Sequence, residues 1–436
     1  MANNRASQPF PLPRPNPALM SALGVVNRWC MLRWRFRVRA IDLPDGDGER
    51  LARAVHSDSA AFLAPNHPEF GLDWMIDKEL SRRFAPRMAA WAAHEIIAAA
   101  PWFWLRNNLV SHRGGAAAID YSVQWALRGN TVLLHPEGSV HWTSDYVHPL
   151  YPGVADMALE AAHRSLARRD DRPVFIAPIV WRVRYTRDVS TSLHREMRLI
   201  ERALELPSPD GASVGERFRF LQESVLATRM ERFGFDPRSV SALDFFARQA
   251  AFRAWLADDL VSRHSVERGD SIEHTLRRLG RLSLTDADRA RVAEAVRLGG
   301  FTETVYDTPT LAQEQIAESL KRLRASLMRH GFRNAVHNAL PKPHGPRVAH
   351  VRIPEPIRID LARASASVEE RAAYRDELLE QTRASMQREL DALGLELASS
   401  TDRFRHPNPF YRGTTARRSS WPARRESAPP AVVSPR

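Results

Sequence analysis

The sequence predicts an α/β protein: a mainly parallel mixed sheet flanked by helices, with a large helical insertion. Three observations predict it. Short apolar runs of strand length, at 60–64, 131–134 and 173–181, alternate with segments of helical periodicity. Strands that alternate with helices build parallel sheets with helices packed on their faces. From about 192 to 341 such runs disappear, long arginine- and glutamate-rich helical patterns replace them, and strand character returns at 347–353.

The elements follow in order. Residues 1–17 read as a structureless, proline-rich arm (PFPLPRPNP). Over 18–34, Leu19, Met20, Leu23, Val26, Trp29, Cys30 and Met31 recur at steps of three and four, with Arg28, Arg33 and Arg35 toward the far end. That predicts an amphipathic helix, suited equally to a membrane interface and to packing on the protein's own core. Residues 35–43 (RFRVRAIDL) alternate as a half-buried strand does, and Asp45-Gly46 turns the chain. The run 60–64 leads directly into Pro65-Asn66-His67, and 73–84 is helical. The apolar stretch 88–105 ends in Trp102, Phe103 and Trp104, which fit core, acyl pocket or membrane contact.

A short strand at Leu109-Val110 precedes Ser111-His112-Arg113. Helices at 119–127 and 154–167 flank the strand 131–134, which feeds His135-Pro136-Glu137-Gly138-Ser139. The main α/β part therefore spans 35–190. The helical insertion spans 191–344, with patterns at 218–233, 243–261 and 311–328. Residues 345–395 complete the α/β part, with a last helix at 368–393. Residues 396–436, rich in Arg, Ser and Pro, read as a structureless tail.

Composition sets the bounds. The 436 residues are 44% hydrophobic and 26% charged, as in a folded globular protein rather than a disordered one. The net charge of +12 is carried by arginine, since the only lysines are Lys78, Lys321 and Lys342. Such a balance favours anionic partners, including anionic lipid. No helix-turn-helix or aromatic RNA-binding signature is present, so no nucleic-acid partner is expected. The single cysteine, Cys30, forms no internal disulfide, and no histidine lies near it to make it a nucleophile. No run reaches the ~18 apolar residues of a membrane span. The start reads as a poor secretory signal, because its apolar stretch comes after a proline-rich lead and lacks a small-residue cleavage site. A cytoplasmic protein, peripheral on the inner face of a membrane, is expected.

Two loops carry the chemistry: 65–73 after one buried strand and 135–139 after another. Acyl transfer from a thioester to a hydroxyl needs a base for the hydroxyl proton, and a histidine such as His67 titrates in the right range. A carboxylate a few residues on, Asp73, can hold the ring in one tautomer. Glu69 and Asp77 are alternative partners for His67, and Asp73 could instead cap the following helix. Backbone N–H groups near Gly138, or at the helix start, could face the oxyanion. The acceptor hydroxyl is itself the attacking group, so the absence of a G-x-S-x-G elbow is expected. His94-Glu95 opens like a zinc helix, but Ala98 stands where the second histidine belongs, so no metal is expected.

With these residues in place, the chain resembles the PlsC-like glycerolipid acyltransferases, which include glycerol-3-phosphate and lysophosphatidic acid acyltransferases. Asn66-His67…Asp73 resembles the family's Asn-His-x4-Asp block, with five residues instead of four between His67 and Asp73. Gly71 is positioned to absorb the extra residue. Val110-Ser111-His112-Arg113 resembles the second block, which implies that Arg113 binds acceptor phosphate. Pro136-Glu137-Gly138-Ser139 resembles the Pro-Glu-Gly-Thr block, which implies acceptor binding there. Ala177-Pro178-Ile179 resembles the fourth block, and VRIPEPI resembles the closing strand. Val140 and Pro152 stand where the family usually has cations. His141, Arg128 and Arg182 are the candidates to replace them.

The resemblance implies a glycerol-3-phosphate acyltransferase-like fold over 35–190 and 345–395. It implies transfer from acyl-CoA or acyl carrier protein, as co-substrate, to a glycerolipid-type acceptor at an anionic membrane surface. His67 and Asp73 would be catalytic; Asn66, Arg113, Pro136, Glu137, Gly138 and Ser139 would bind substrate. No other cofactor is expected. The alternative is a non-catalytic basic protein that binds lipid or nucleic acid on a decayed fold of this kind.

Overall fold

The structure, a computed structural model, describes residues 11–269, 271–301, 303–328, 331–400 and 404–411. Its strands are β1 (Val38–Asp42), β2 (Ala60–Pro65), β3 (Ala89–Ala92), β4 (Leu109–Ser111), β5 (Thr131–Leu133), β6 (Val174–Tyr185), β7 (Thr310–Ala312), β8 (Arg347–Arg352), β9 (Ile357–Arg358) and β10 (Arg405–Pro407). The main sheet runs β1-β8-β6-β2-β5-β3-β4, with β9 on β6, and β7 pairs β10 separately. All neighbours in the main sheet are parallel except β6 with β8 and β6 with β9. The mainly parallel mixed sheet is therefore as expected, and 345–358 does return to it.

Strand β6 is longer than its apolar run suggests. It continues past Trp181 through Arg182-Val183-Arg184-Tyr185, and both arginines are buried. Each has partners: Arg182 pairs with Asp145, and Arg184 donates to Leu397 O at 3.1 Å. The first half of β6 pairs with β2 and the second with β8, so this one strand joins the two halves of the sheet.

Helices cover both faces. Gly115–Leu127, Gly153–Ala167 and Val368–Ser400 pack on one face, over Phe62, Val132 and Ile176. The other face buries Leu63, Leu133, Ile179 and Val351 against Leu51, Leu72, Ile76 and Leu80. Residues 18–34 form the α-helix Pro17–Val26, capped by Asn16, and the π-helix Asn27–Arg35. Met20 and Leu32 are buried, Asn27 Nδ2 donates to Met75 O at 2.7 Å, and Trp29 and Trp34 point outward. Packing on the core and an exposed aromatic face are both present.

The insertion has its own core, centred on Phe218, Phe252, Leu256, Phe301 and Leu320. One of its helices, Gln313–Leu327, is buried from Gln313 to Arg324 despite its polar sequence. Each polar side chain that points inward meets a partner. Gln313 and Glu314 accept from the N–H groups of Val189 and Tyr185, and Glu318 accepts from Ser144.

One stretch gains its element types and one expectation is corrected. The apolar stretch 88–105 is β3 followed by the short helices His94–Ala99 and Pro101–Arg106, because Pro101 lacks the N–H that would continue the first helix. The tail does not begin at 396. Helix Val368–Ser400 runs through that point, and β10 pairs with β7, where Arg405 Nε donates to Thr310 Oγ1 at 2.6 Å. The rest of the expected tail, 412–436, lies outside the described residues, as do residues 1–10 of the expected arm. Residues 11–16 are described without regular structure.

Candidate active site

Strands β2 and β5 are parallel neighbours, so the loops at their C-terminal ends meet at one edge of the sheet. Loops in that position are where α/β sheets place binding sites. His67 follows β2, and the chain then turns at Gly71, whose φ of +82° suits glycine, into helix Leu72–Phe84. This turn brings Asp73 back to the His67 ring. The His67 Nδ1 lies 2.5 Å from Asp73 Oδ2, and the carboxylate also accepts the Trp74 N–H at 2.8 Å. Asp73 is fully buried, while the His67 side chain keeps 13% exposure. With Nδ1 on the carboxylate, Nε2 is the ring atom left to take a proton.

The rival carboxylates are engaged elsewhere. Glu69 is buried and bound by Lys321 Nζ at 2.8 Å and by both ends of the Arg347 guanidinium at 2.7 and 3.0 Å. Burial works against its charge, but Arg347 and Lys321 prevail and hold its carboxyl down at about 2. Asp77, one helical turn beyond Asp73, sits 3.0 Å from His135 Nε2. Burial pushes Asp77 up and His135 pulls it back.

Glu137 ties the two loops together. Its Oε1 accepts the His67 N–H at 2.7 Å and its Oε2 the His148 N–H at 3.0 Å. Burial pushes it up to about 7, against these two donors. Gly138, at φ +72°, lies under the Tyr151 ring, which an added Cβ would meet at 2.7 Å. Its N–H donates to His135 O at 3.1 Å, so this group is not open to an oxyanion. His141 N–H reaches His67 O at 3.4 Å, and burial holds the His141 ring down at about 3.

The expected binding residues divide. Asn66 is buried, with both amide atoms on the Trp181 backbone at 3.1 Å. It locks the end of β2 to β6. Pro136 and Glu137 are buried and frame the loop, while Gly138 and Ser139 are exposed at its rim. Arg113 follows β4, three strands from β2 and thus roughly 14 Å across the sheet, and its guanidinium holds Glu95 at 2.7 Å on the surface. The replacement cations divide likewise. Arg182 is buried on Asp145, and Arg128 precedes β5, at the opposite sheet edge, so His141 alone stands beside His67.

Among the described residues, two groups have metal-ligand spacing: His67, Asp73 and His135, and Glu137, His141 and His148. In the first, Asp73 faces His67 while His135 turns its Nε2 to Asp77. In the second, the rings of His141 and His148 stack face to face, 3.6 Å apart and 19° from parallel. Sequence reasoning missed His135, Lys321 and Arg347. The one available signal was the i, i+4 spacing of Asp73 and Asp77, which puts two carboxylates on one helix face. The chain matches no protein-family model and no curated protein.

Proposed function

We propose that this protein is an O-acyltransferase. It moves a fatty acyl group from acyl-CoA or acyl carrier protein to a hydroxyl of a glycerolipid-type acceptor at a membrane surface. The observation that carries the reading is the His67–Asp73 contact at 2.5 Å, with the imidazole partly open at the edge where parallel strands end. His67 Nε2 takes the acceptor's hydroxyl proton as its oxygen attacks the thioester carbonyl carbon. The C–S bond then breaks, and the proton passes to the departing thiolate. Asp73 holds the ring with Nε2 outward and stabilises the cation that forms.

The test is release of free thiol from acyl-CoA or acyl carrier protein across a panel of glycerol-based acceptors. Thiol release that depends on the acceptor, with the acylated product detected by mass spectrometry, supports the proposal. Lipid or nucleic-acid binding with no thiol release favours the alternative, a non-catalytic basic protein. That reading draws on the engagement of Arg113 with Glu95 and on Val140 and Pro152.

The surface supports a peripheral mode. No helix among the described residues is long and apolar enough to cross a membrane. Val25, Val26, Trp29, Trp34 and Trp102 are exposed. A cavity of about 110 Å³ beside Trp29 is lined by Arg28, Arg33, Arg39 and Arg83 together with Glu79. Tryptophan and arginine side by side suit the headgroup region. The protein is expected to float with vesicles containing phosphatidylglycerol, less so as salt rises. Replacing Trp29, Trp34 and Trp102 with alanine is expected to abolish most of that binding. Undiminished flotation of the triple variant overturns this surface.

A further inference from the structure

The site contains a second histidine–aspartate pair that the transfer reaction does not itself require. The His135 ring lies against the His67 ring, centroids 4.1 Å apart and planes 15° from parallel. It is buried, and both its nitrogens face acceptors. Nδ1 is 3.3 Å from Pro65 O and 3.2 Å from Asn66 O, and Nε2 is 3.0 Å from the Asp77 carboxylate. A carbonyl oxygen can only accept, so Nδ1 carries a proton. An ionised Asp77 likewise requires a proton on Nε2. A ring protonated at both nitrogens is a cation.

We propose that His135 is a positioning residue in the form of a buried imidazolium, clamped by Asp77, Pro65 O and Asn66 O. It holds the His67 ring flat and keeps it unprotonated, so that Nε2 is free to act as base.

The electrostatics follow from the contacts. A cation stacked on His67 opposes a second positive charge there. Burial and then His135 lower the His67 titration, against the opposing pull of Asp73. Burial also opposes charge on His135, but Asp77 and Asp73 outweigh it and hold the ring up at about 9. The other ionisable neighbours are Glu137, which burial pushes up against the His148 and His67 N–H groups and His135, and His141, which burial and then His67 lower. Asp73 and Asp77 come from helix Leu72–Phe84, His67 from the loop after β2, and Glu137 and His141 from the loop after β5. The pair of dyads is thus assembled from three elements: two aspartates one turn apart face two histidines at the ends of adjacent parallel strands.

The test uses the full chain labelled with 15N-histidine, with the resonances assigned by single substitutions. At pH 7, His135 is expected to show protons on both nitrogens, and His67 on Nδ1 only. Asp77→Asn keeps the His135 ring but lets it go neutral, and His135→Phe keeps a flat ring without charge. In either variant the His67 midpoint is expected to rise by about one to three pH units. A purely structural role would leave it unmoved. A single ring proton on His135 at pH 7 in the unsubstituted protein overturns the proposal, as does an unchanged His67 midpoint in the variants. The acid limb of thiol release should shift with the same midpoint. That kinetic arm alone rests on the proposed acyl transfer; the spectra stand even for a protein that releases no thiol.

Discussion

His67→Asn is expected to lower acceptor-dependent thiol release by about 10²- to 10⁴-fold, the usual contribution of a positioned general base. Asparagine is the informative replacement. Its amide N–H can still face Asp73, which is fully buried and would otherwise lose its partner. Folding should therefore survive, as circular dichroism and the unfolding midpoint would show. Asp73→Asn should also fold but transfer poorly. Its amide N–H would face His67 Nδ1 and favour the tautomer with the proton on Nε2, where the base must be open. Full activity in His67→Asn would remove His67 from the mechanism.

Glu69→Gln is expected to cost roughly 3–5 kcal/mol of stability, the range for breaking a buried ion pair by removing one partner. The loss arises because Lys321 and Arg347 are as buried as Glu69 and would lose the carboxylate that offsets the burial of their charges. The pH dependence has a definite sign. The Glu69 carboxyl titrates below its ordinary value of 4.5, at about 2 in the folded protein. Its stabilisation is therefore complete above pH 4.5 and is lost as pH falls toward 2. Urea unfolding should separate the variant from the native protein widely at pH 7 and progressively less below pH 4.5. A difference under about 1 kcal/mol at pH 7 would rule out a stabilising triad there. The same triad pins the loop between His67 and Asp73 to the insertion through Lys321 and to β8 through Arg347, so transfer should weaken along with stability.

Much of this arrangement was legible in the sequence. The apolar runs at 60–64, 131–134 and 173–181 are too short for helices and too apolar for the surface, so they had to be buried strands, and β2, β5 and β6 lie there. The loops that follow them carry His67 and Glu137 because strand ends present loops to solvent. The spacing from His67 to Asp73, with Gly71 between, already held the geometry of a ring against a carboxylate, since both lie within one loop and one helical turn.

Other features depend on groups distant in the chain. Asn66 and Arg113 looked alike as polar loop residues; only packing turned Asn66 inward to the Trp181 backbone and left Arg113 on the surface with Glu95. The polar pattern at 311–328 showed a helix but not its burial, because periodicity reports which faces are apolar and not which charges find distant partners, as Arg324 finds Glu196 and Lys321 finds Glu69. His135 reads locally as one polar residue before Pro136. Its second role required β5 to lie beside β2 and helix Leu72–Phe84 to bring Asp77 across. Sequence by itself determined the central strands β2, β5 and β6, the long helices and a carboxylate within reach of His67, because those follow from periodicity and short spacing. The tertiary structure alone decided which charges are buried and what each one faces, because a charge is stable in the interior only where folding delivers its partner.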